Sequence, residues 1–357
     1  MKRVRVLVVD DSATARLLLV SILRSDPEID VVGQAADGLE AVELVKKLHP
    51  DIVTMDVQMP RLDGFAATKR IMIEAPTPIL ITTGVDARAV SVSLEAVRMG
   101  ALAVHPKPGD PRLPSFENEA AELTRQVKAM SRVKVVRHLH AGGGPLTVVP
   151  STHSATSLQD GRVEVIAIAT STGGPAALHL ILSALPAGFT IPILVVQHIS
   201  WGFTRGFASW LDAATPLRVK LAEEGEPIVA GTVYVADDDH HLAVSTARRA
   251  HLSGAPPVGG FRPSGTPLFK TVATAYGRSA LAVILTGMGR DGVDGLQAIR
   301  SAGGRIIAES EATAVVYGMP AAAVDAGLAD FVLPLDEVCS TIAGLVRNPA
   351  PRKEVTQ

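Results

Sequence analysis

The chain carries a single cysteine, Cys339, so no internal disulfide can form, which fits a reducing cytoplasm. It has no excess of either charge. Its 34 lysines and arginines stand against 36 aspartates and glutamates, a formal net of −2, and this removes any global electrostatic case for nucleic acid as the partner. No uncharged apolar stretch approaches the length needed to cross a bilayer. The opening MKRVRVLVVDDS ends its short apolar run in two aspartates without a small-residue cleavage site, so neither a signal peptide nor membrane insertion is expected. What is present is apolar content: 47% of 357 residues are hydrophobic and 20% charged. That is enough for two folded domains with sizeable cores.

Short apolar runs alternate with amphipathic stretches. Runs at 4–10, 31–36, 51–56, 78–83 and 101–107 predict strands buried on both faces, and helical patterns lie near 13–25, 38–48, 64–74, 86–99 and 115–136. The alternation predicts a parallel sheet with helices on both sides. Residues 138–162 are rich in Gly, Pro, Ser and Thr, a linker composition, so the first domain is placed at 1–137. The pattern restarts in the second half. Strands are expected at 163–169, 192–198, 231–237, 280–287 and 303–309, with helices near 175–185, 203–213, 267–276, 292–301, 320–326 and 336–346. The fold class is therefore α/β, two domains each built on a mainly parallel doubly wound sheet, the second spanning 163–347 before a tail at 348–357.

In such sheets ligands gather beyond the carboxyl ends of the strands. In the first half that edge collects Asp10, Asp11, Asp56, Thr83 and Lys107. Three clustered carboxylates repel unless a cation is present, and Mg²⁺ suits one or two aspartates plus an incoming phosphoryl group. An aspartate can attack phosphorus to form an acyl phosphate, with Lys107 and Thr83 holding the phosphoryl oxygens. Taken alone, Asp10 and Asp11 are better read as acids at a helix N-terminus, and a lone Lys107 as a solvated lysine. The constellation is more specific than its parts. The stretches LVVDDSATARLLL, MDVQMPRLDGF, PILITTG and GALAVHPKP resemble the receiver domain of response regulators, a flavodoxin-like fold. The resemblance implies phosphorylation of Asp56 by a histidine kinase, with Mg²⁺ held by Asp10, Asp11, Asp56 and the backbone carbonyl of Gln58. Val104 departs from it, since receivers often carry Tyr or Phe three residues before the lysine.

In the second half, Ser171 lies in ATSTGGP, between a strand and a helix. Nucleophilic serine chemistry needs a base and a carboxylate that orients it. His198 in VVQHIS and Asp291 in LTGMGRDGVDG each follow a different predicted parallel strand, so all three residues share one sheet edge. The amide of Thr172 would lie near a helix N-terminus, where it can hold an oxyanion. Other readings stay open on spacing alone. Ser171 could cap the helix, STGG could cradle a phosphate, and Asp294 rivals Asp291. The order Ser, His, Asp does not match the α/β-hydrolase family, nor is ATSTG its elbow.

IAIATSTGGP, PILVVQHI, AVILTGMGRDGVDG and EATAVVYGMPAAAV do resemble, in order, the signature stretches of the chemotaxis protein-glutamate methylesterase family, whose catalytic domain is Rossmann-like. The resemblance implies Ser171 as nucleophile, His198 as base and then acid, Asp291 as the orienting carboxylate, and Met288 as a neighbour giving a backbone donor to the oxyanion. It also implies demethylation and deamidation of chemoreceptor cytoplasmic regions, no cofactor for that chemistry, and a receiver that blocks the site until Asp56 is phosphorylated. Three features depart from the family. Thr170 precedes the serine, Asp237, Asp238 and Asp239 occupy a loop that tends to hold Pro and Gly, and RPSGTPLF lacks an acidic residue. The acidic loop beside His240 and His241 is read as solvated rather than metal-binding. A non-enzymatic binding regulator or phosphate sink is the rival class. A DNA-binding regulator lacks a basic recognition helix, and the basic stretch 125–140 is read as the face of a linker helix.

Overall fold

The structure is a computed structural model and describes residues 2–84, 87–133 and 163–347. The chain divides into two compact units, Met1–Gly143 and Gly144–Gln357. The predicted linker at 138–162 and the tail at 348–357 lie outside the described residues.

The first unit alternates strictly: β1 (Val4–Val9), α1 (Ala13–Ser25), β2 (Ile29–Ala35), α2 (Gly38–Leu48), β3 (Ile52–Asp56), α3 (Gly64–Glu74), β4 (Ile79–Thr83), α4 (Ala87–Arg98), β5 (Ala103–Pro106) and α5 (Phe116–Met130). The sheet order is β2-β1-β3-β4-β5, all parallel. Local chemistry sets the helix starts. Ser12, Asp37 and Asp63 each accept backbone N–H groups at the first turns of α1, α2 and α3, filling donors that a helix leaves unpaired. Two expectations are corrected. β2 is an edge strand with Asp30 and Gln34 exposed, so it is not buried on both faces. The helix expected to reach 136 ends at Met130, where Ser131 caps it. Of the basic stretch 125–140, residues up to Met130 are helical, and 134–140 are outside the described residues.

The second unit runs β6 (Val165–Thr170), α6 (Gly174–Ala184), β7 (Ile193–Gln197), α7 (Thr204–Ala214), β8 (Arg218–Leu221), β9 (Thr232–Val235), β10 (His241–Val244), β11 (Ala250–Ser253), α8 (Gly265–Tyr276), β12 (Ala280–Ile284), α9 (Val293–Ser301), β13 (Arg305–Glu309), α10 (Met319–Asp325), β14 (Phe331–Leu333) and α11 (Leu335–Arg347). Seven strands form one parallel sheet, β14-β13-β12-β6-β7-β9-β8, and β10 with β11 makes a separate antiparallel hairpin. Four strands, β8, β10, β11 and β14, have no counterpart among the sequence expectations. The central strands β12, β6 and β7 are wholly buried, as parallel strands covered on both faces must be. From β6 the chain moves to β7 on one side and later returns to β12 on the other. Strand order therefore reverses beside β6, the place where such sheets open a crevice at their carboxyl ends.

Helices α8 and α9 cover this region and pack closely. A Cβ placed on Gly295 would lie 2.7 Å from Phe269 Cβ and 2.7 Å from the Thr266 carbonyl. Gly295→Ala is expected to destabilise the second unit by about 1–3 kcal/mol through overpacking, despite its better helix propensity. The readout is a lower urea midpoint in the fluorescence of Trp201 and Trp210, the chain's two tryptophans.

Candidate active site

Three adjacent strands deliver the candidate triad. Ser171 follows β6, His198 follows β7, and Asp291 closes the loop after β12. In register Thr170 lies opposite Gln197, so Ser171 and His198 leave neighbouring strand ends. Backbone bonds continue past the strands: His198 N–H donates to Thr170 O at 2.9 Å, and Ser171 N–H to Thr286 O at 3.0 Å. The Gln197 amide, which sequence reasoning missed, donates to both the Ser171 and His198 carbonyls at 2.8 Å. It ties the two segments to each other.

His198 Nε2 lies 2.8 Å from Asp291 Oδ2. The carboxylate fixes Nε2 as the protonated nitrogen, which leaves Nδ1 with the lone pair. Nδ1 is buried and has no hydrogen-bond partner among the described residues. Asp291 is itself caged. Oδ2 also accepts the Gly265 amide at 2.7 Å, and Oδ1 accepts the Ser264 hydroxyl at 2.6 Å and the Thr266 hydroxyl at 3.2 Å. These donors cluster at the N-terminus of α8, whose cap is Ser264, a favourable place for a negative charge. Burial pushes the Asp291 carboxyl up, but the His198 bond and charge, with Ser264 and Gly265, outweigh it and hold it down at about 2. His241 positions this cage. Its Nδ1 accepts the Ser264 N–H at 3.2 Å while Nε2 faces Pro256 O at 3.2 Å.

Among the alternatives left open by spacing, capping fails for Ser171. The N-cap of α6 is Gly173, at φ +83, and no side chain caps that helix. Asp294 is exposed in the first turn of α9, and the carboxylate paired with His198 is Asp291. The Ser171 hydroxyl, half-buried, makes no hydrogen bond among the described residues. Thr172 is buried and Met288 half-buried, and neither backbone N–H is used within the protein among the described residues. Both amides stand at loops flanking Ser171. Thr170 is no free hydroxyl beside the serine: it is buried and donates to Thr286 O at 2.9 Å. Thr286 is the hub of this wall, since its own hydroxyl donates to Thr172 O at 2.8 Å and accepts Val316 N–H at 2.9 Å. Buried Glu309 at the end of β13 accepts Thr286 N–H at 2.8 Å, and burial raises its carboxyl pKa. Thr286 lies in AVILTGMGRDGVDG and Ser264 and Thr266 in RPSGTPLF, but nothing in those stretches marked these residues, or Glu309, as site residues.

The acidic loop is structural. Asp238 accepts the Gly202 N–H at 3.0 Å and the Thr204 hydroxyl, so it anchors the start of α7; burial raises its pKa. Asp239 pairs with Arg262. Among the described residues, Asp10, Asp11 and Asp56 are the acidic or metal-ligating group compact enough to hold an ion.

That group sits at the sheet edge of the first unit. Asp10, Asp11 and Asp56 each offer an oxygen within 4.8 Å of the others. Lys107 Nζ lies 2.7 Å from Asp10 Oδ2 and 3.0 Å from Asp56 Oδ2. Burial raises the Asp56 carboxyl pKa against the pull of Lys107. Burial likewise works to lower Lys107, but the two carboxylates outweigh it and raise its pKa. Thr83 is buried at the end of β4, and its carbonyl accepts the Lys107 N–H at 2.7 Å. Gln58 is exposed in the turn after β3. Hard oxygens with one ammonium among three carboxylates fit a divalent cation such as Mg²⁺. Val104 is half-buried in β5 and packs on the core, while neighbouring His105 is buried with Nδ1 2.6 Å from Pro106 O.

Comparisons with known proteins agree across both units. Residues 166–342 match the CheB methylesterase family model, and residues 6–113 match the response regulator receiver domain model. The chain is 51% identical over 344 residues to protein-glutamate methylesterase/protein-glutamine glutaminase 4 of Myxococcus xanthus, covering 96% of this chain and 97% of that protein. It is 52% identical over 346 residues to protein-glutamate methylesterase/protein-glutamine glutaminase 3 of Anaeromyxobacter dehalogenans, covering 97% and 100%. The crystal structure of the Thermotoga maritima CheB methylesterase catalytic domain is similar at a TM-score of 0.50 and 38% identity, over 51% of this chain and 98% of that one.

Asp291 makes stability depend on acid. A carboxyl held at about 2 in the folded chain, against an ordinary 3.8, contributes stability that is full above about pH 4 and lost as pH falls toward 2. The size is about 2 kcal/mol. Asp291→Asn is expected to be less stable than wild type near pH 7, with the gap closing between pH 4 and 2. Urea unfolding at a series of pH values measures it, and a gap that stays constant over that range contradicts the cage.

Proposed function

The chain belongs to the CheB methylesterase family of receiver-bearing response regulators, and from that premise we propose that it hydrolyses glutamate methyl esters on chemoreceptors under control of phosphorylation at Asp56. The observation that carries the reading is the delivery of Ser171, His198 and Asp291 by three adjacent strands, with the His198–Asp291 bond at 2.8 Å.

The chemistry follows from which nitrogen is free. Asp291 occupies Nε2, so Nδ1 of His198 takes the proton as Ser171 Oγ attacks the ester carbonyl. Catalytic hydrogen bonds are often long until substrate is bound, in keeping with the unengaged Ser171 hydroxyl. The unused amides of Thr172 and Met288 are the donors for the tetrahedral oxyanion. Methanol departs with the proton from Nδ1. Water then attacks the acyl-enzyme and gives a proton to Nδ1, which passes it to Ser171 Oγ as the Oγ–acyl bond breaks, so free glutamate leaves and Ser171 is restored. Deamidation of a receptor glutamine runs through the same steps with ammonia leaving. The esterase chemistry needs no cofactor. A pure binding module or phosphate sink has no use for a carboxylate held charged behind a histidine, which favours the enzyme.

In the receiver, Asp56 is the carboxylate that accepts phosphorus from a histidine kinase, and Lys107 and Thr83 hold the phosphoryl oxygens. Magnesium held by Asp10, Asp11, Asp56 and the Gln58 carbonyl would neutralise the crowded oxygens. The kinase and the receptors are reached from the cytoplasm. Among the described residues, no helix is long and apolar enough to cross a membrane.

Methanol release from methylated receptor membranes tests the reading. Wild type is expected to release methanol faster with acetyl phosphate and Mg²⁺, and Ser171→Ala to lose about 10⁴-fold or more of the rate. Asp56→Asn is expected to keep the basal rate and lose the stimulation. Equal stimulation of wild type and Asp56→Asn removes the regulatory half of the reading.

A further inference from the structure

His198 has a second partner besides Asp291. The ring of Phe261 lies over the imidazole with centroids 4.0 Å apart and planes 3° from parallel. Phe261 belongs to no helix or strand, yet its place is closely determined. Val258 and Phe261 exchange backbone hydrogen bonds at 3.0 Å in both directions, across Gly259 at φ +60 and Gly260 at φ +89. Two successive positive φ values make the tight reversal that only glycine enters freely, and Phe261 stands at its exit.

Both flanks of this turn are fastened. Arg262 is joined to the Asp239 carboxylate, with Nε at 2.9 Å, and donates to the Gly254 and Ala255 carbonyls at 3.2 Å. Two residues on, Ser264 bonds to Asp291 and to His241. The segment that follows Phe261 is thus tied both to the acidic loop and to the carboxylate cage.

We propose that Phe261 is a positioning residue for His198: its ring fixes the imidazole plane, so that Nδ1 points one way, and its π-face favours the imidazolium formed when Ser171 is deprotonated. This rests on the reading of His198 as the base. With Nε2 bonded to Asp291, the remaining freedom of the imidazole is rotation about its bond to Cβ, and a ring stacked at 4.0 Å blocks that rotation. The second effect follows from the aromatic quadrupole, which attracts a cation within about 6 Å of the ring centre. It acts on a charge that develops during the reaction, and so lowers the barrier rather than merely tightening the ground state. Asp291 is the one charged group within ion-pair distance of the imidazole among the described residues. Asp239 and Arg262 face Phe261's own segment and largely neutralise each other.

The test titrates His198 by NMR of its Cε1 proton in the full chain, assigned by its absence from His198→Gln, alongside ester hydrolysis. Phe261→Leu keeps an apolar cover and removes the quadrupole, and Phe261→Tyr keeps both. In Phe261→Leu the His198 midpoint is expected to fall by roughly half to one pH unit. Its kcat is expected to drop about tenfold with little change in KM, while Phe261→Tyr stays near wild type in both. A midpoint and kcat unchanged in Phe261→Leu overturn the inference, as does equal loss in Phe261→Tyr and Phe261→Leu. Wild-type protein without esterase activity would remove the proposed reaction, and the titration alone would still decide whether Phe261 favours the protonated ring.

Discussion

A carboxylate in a protein interior stays charged only if its oxygens are filled by donors. Asp291 meets that condition with an imidazole, a backbone amide and two hydroxyls. Much else in the second unit serves this one group. The N-terminus of α8 supplies three of the donors, His241 holds Ser264 in place, and β12, β6 and β7 bring His198 and Ser171 to the same edge. A carboxylate held down at about 2 favours, in the neutral imidazole, the tautomer with its proton on Nε2. The direction of Nδ1 is the consequence on which the proposed chemistry rests.

The first unit handles buried carboxylates in a different way. Asp10 and Asp56 share a single ammonium, Lys107. Burial outweighs that ammonium at Asp56 and raises its pKa. The cluster is under-neutralised, which is the condition for receiving a cation and a phosphoryl group. The carboxylate of the second unit is satisfied and fixed, while those of the first are arranged to acquire partners. The two units share an architecture and differ in how completely the protein itself compensates charge at the sheet edge.

Helices α1, α2 and α3 begin and end where the sequence pattern placed them, because caps and apolar period are local signals. The missed strands are three or four residues long. β8 and β14 lie at the two edges of the sheet, and β10 with β11 stands apart as a hairpin. Such strands are too short for a period to register and owe their existence to neighbours supplied by distant parts of the chain. The departures noted at Thr170 and at Asp237–Asp239 looked like changes near the site. Thr170 is a buried strut to Thr286, Asp238 an anchor for α7, and Asp239 a clamp on Arg262.

By itself the sequence determined two α/β units, a sheet edge collecting Asp10, Asp11, Asp56, Thr83 and Lys107, and another collecting Ser171, His198 and Asp291. These follow from residues at strand ends, where one-dimensional order and the edge of a parallel sheet coincide. Tertiary structure alone decided which imidazole nitrogen is free, that Asp291 rather than Asp294 meets His198, and that Ser264, Thr266 and Phe261 surround the pair. Those outcomes depend on contacts between segments up to 93 positions apart. The directions in which side chains point across such separations are set by packing and hydrogen-bond geometry, which no local pattern encodes.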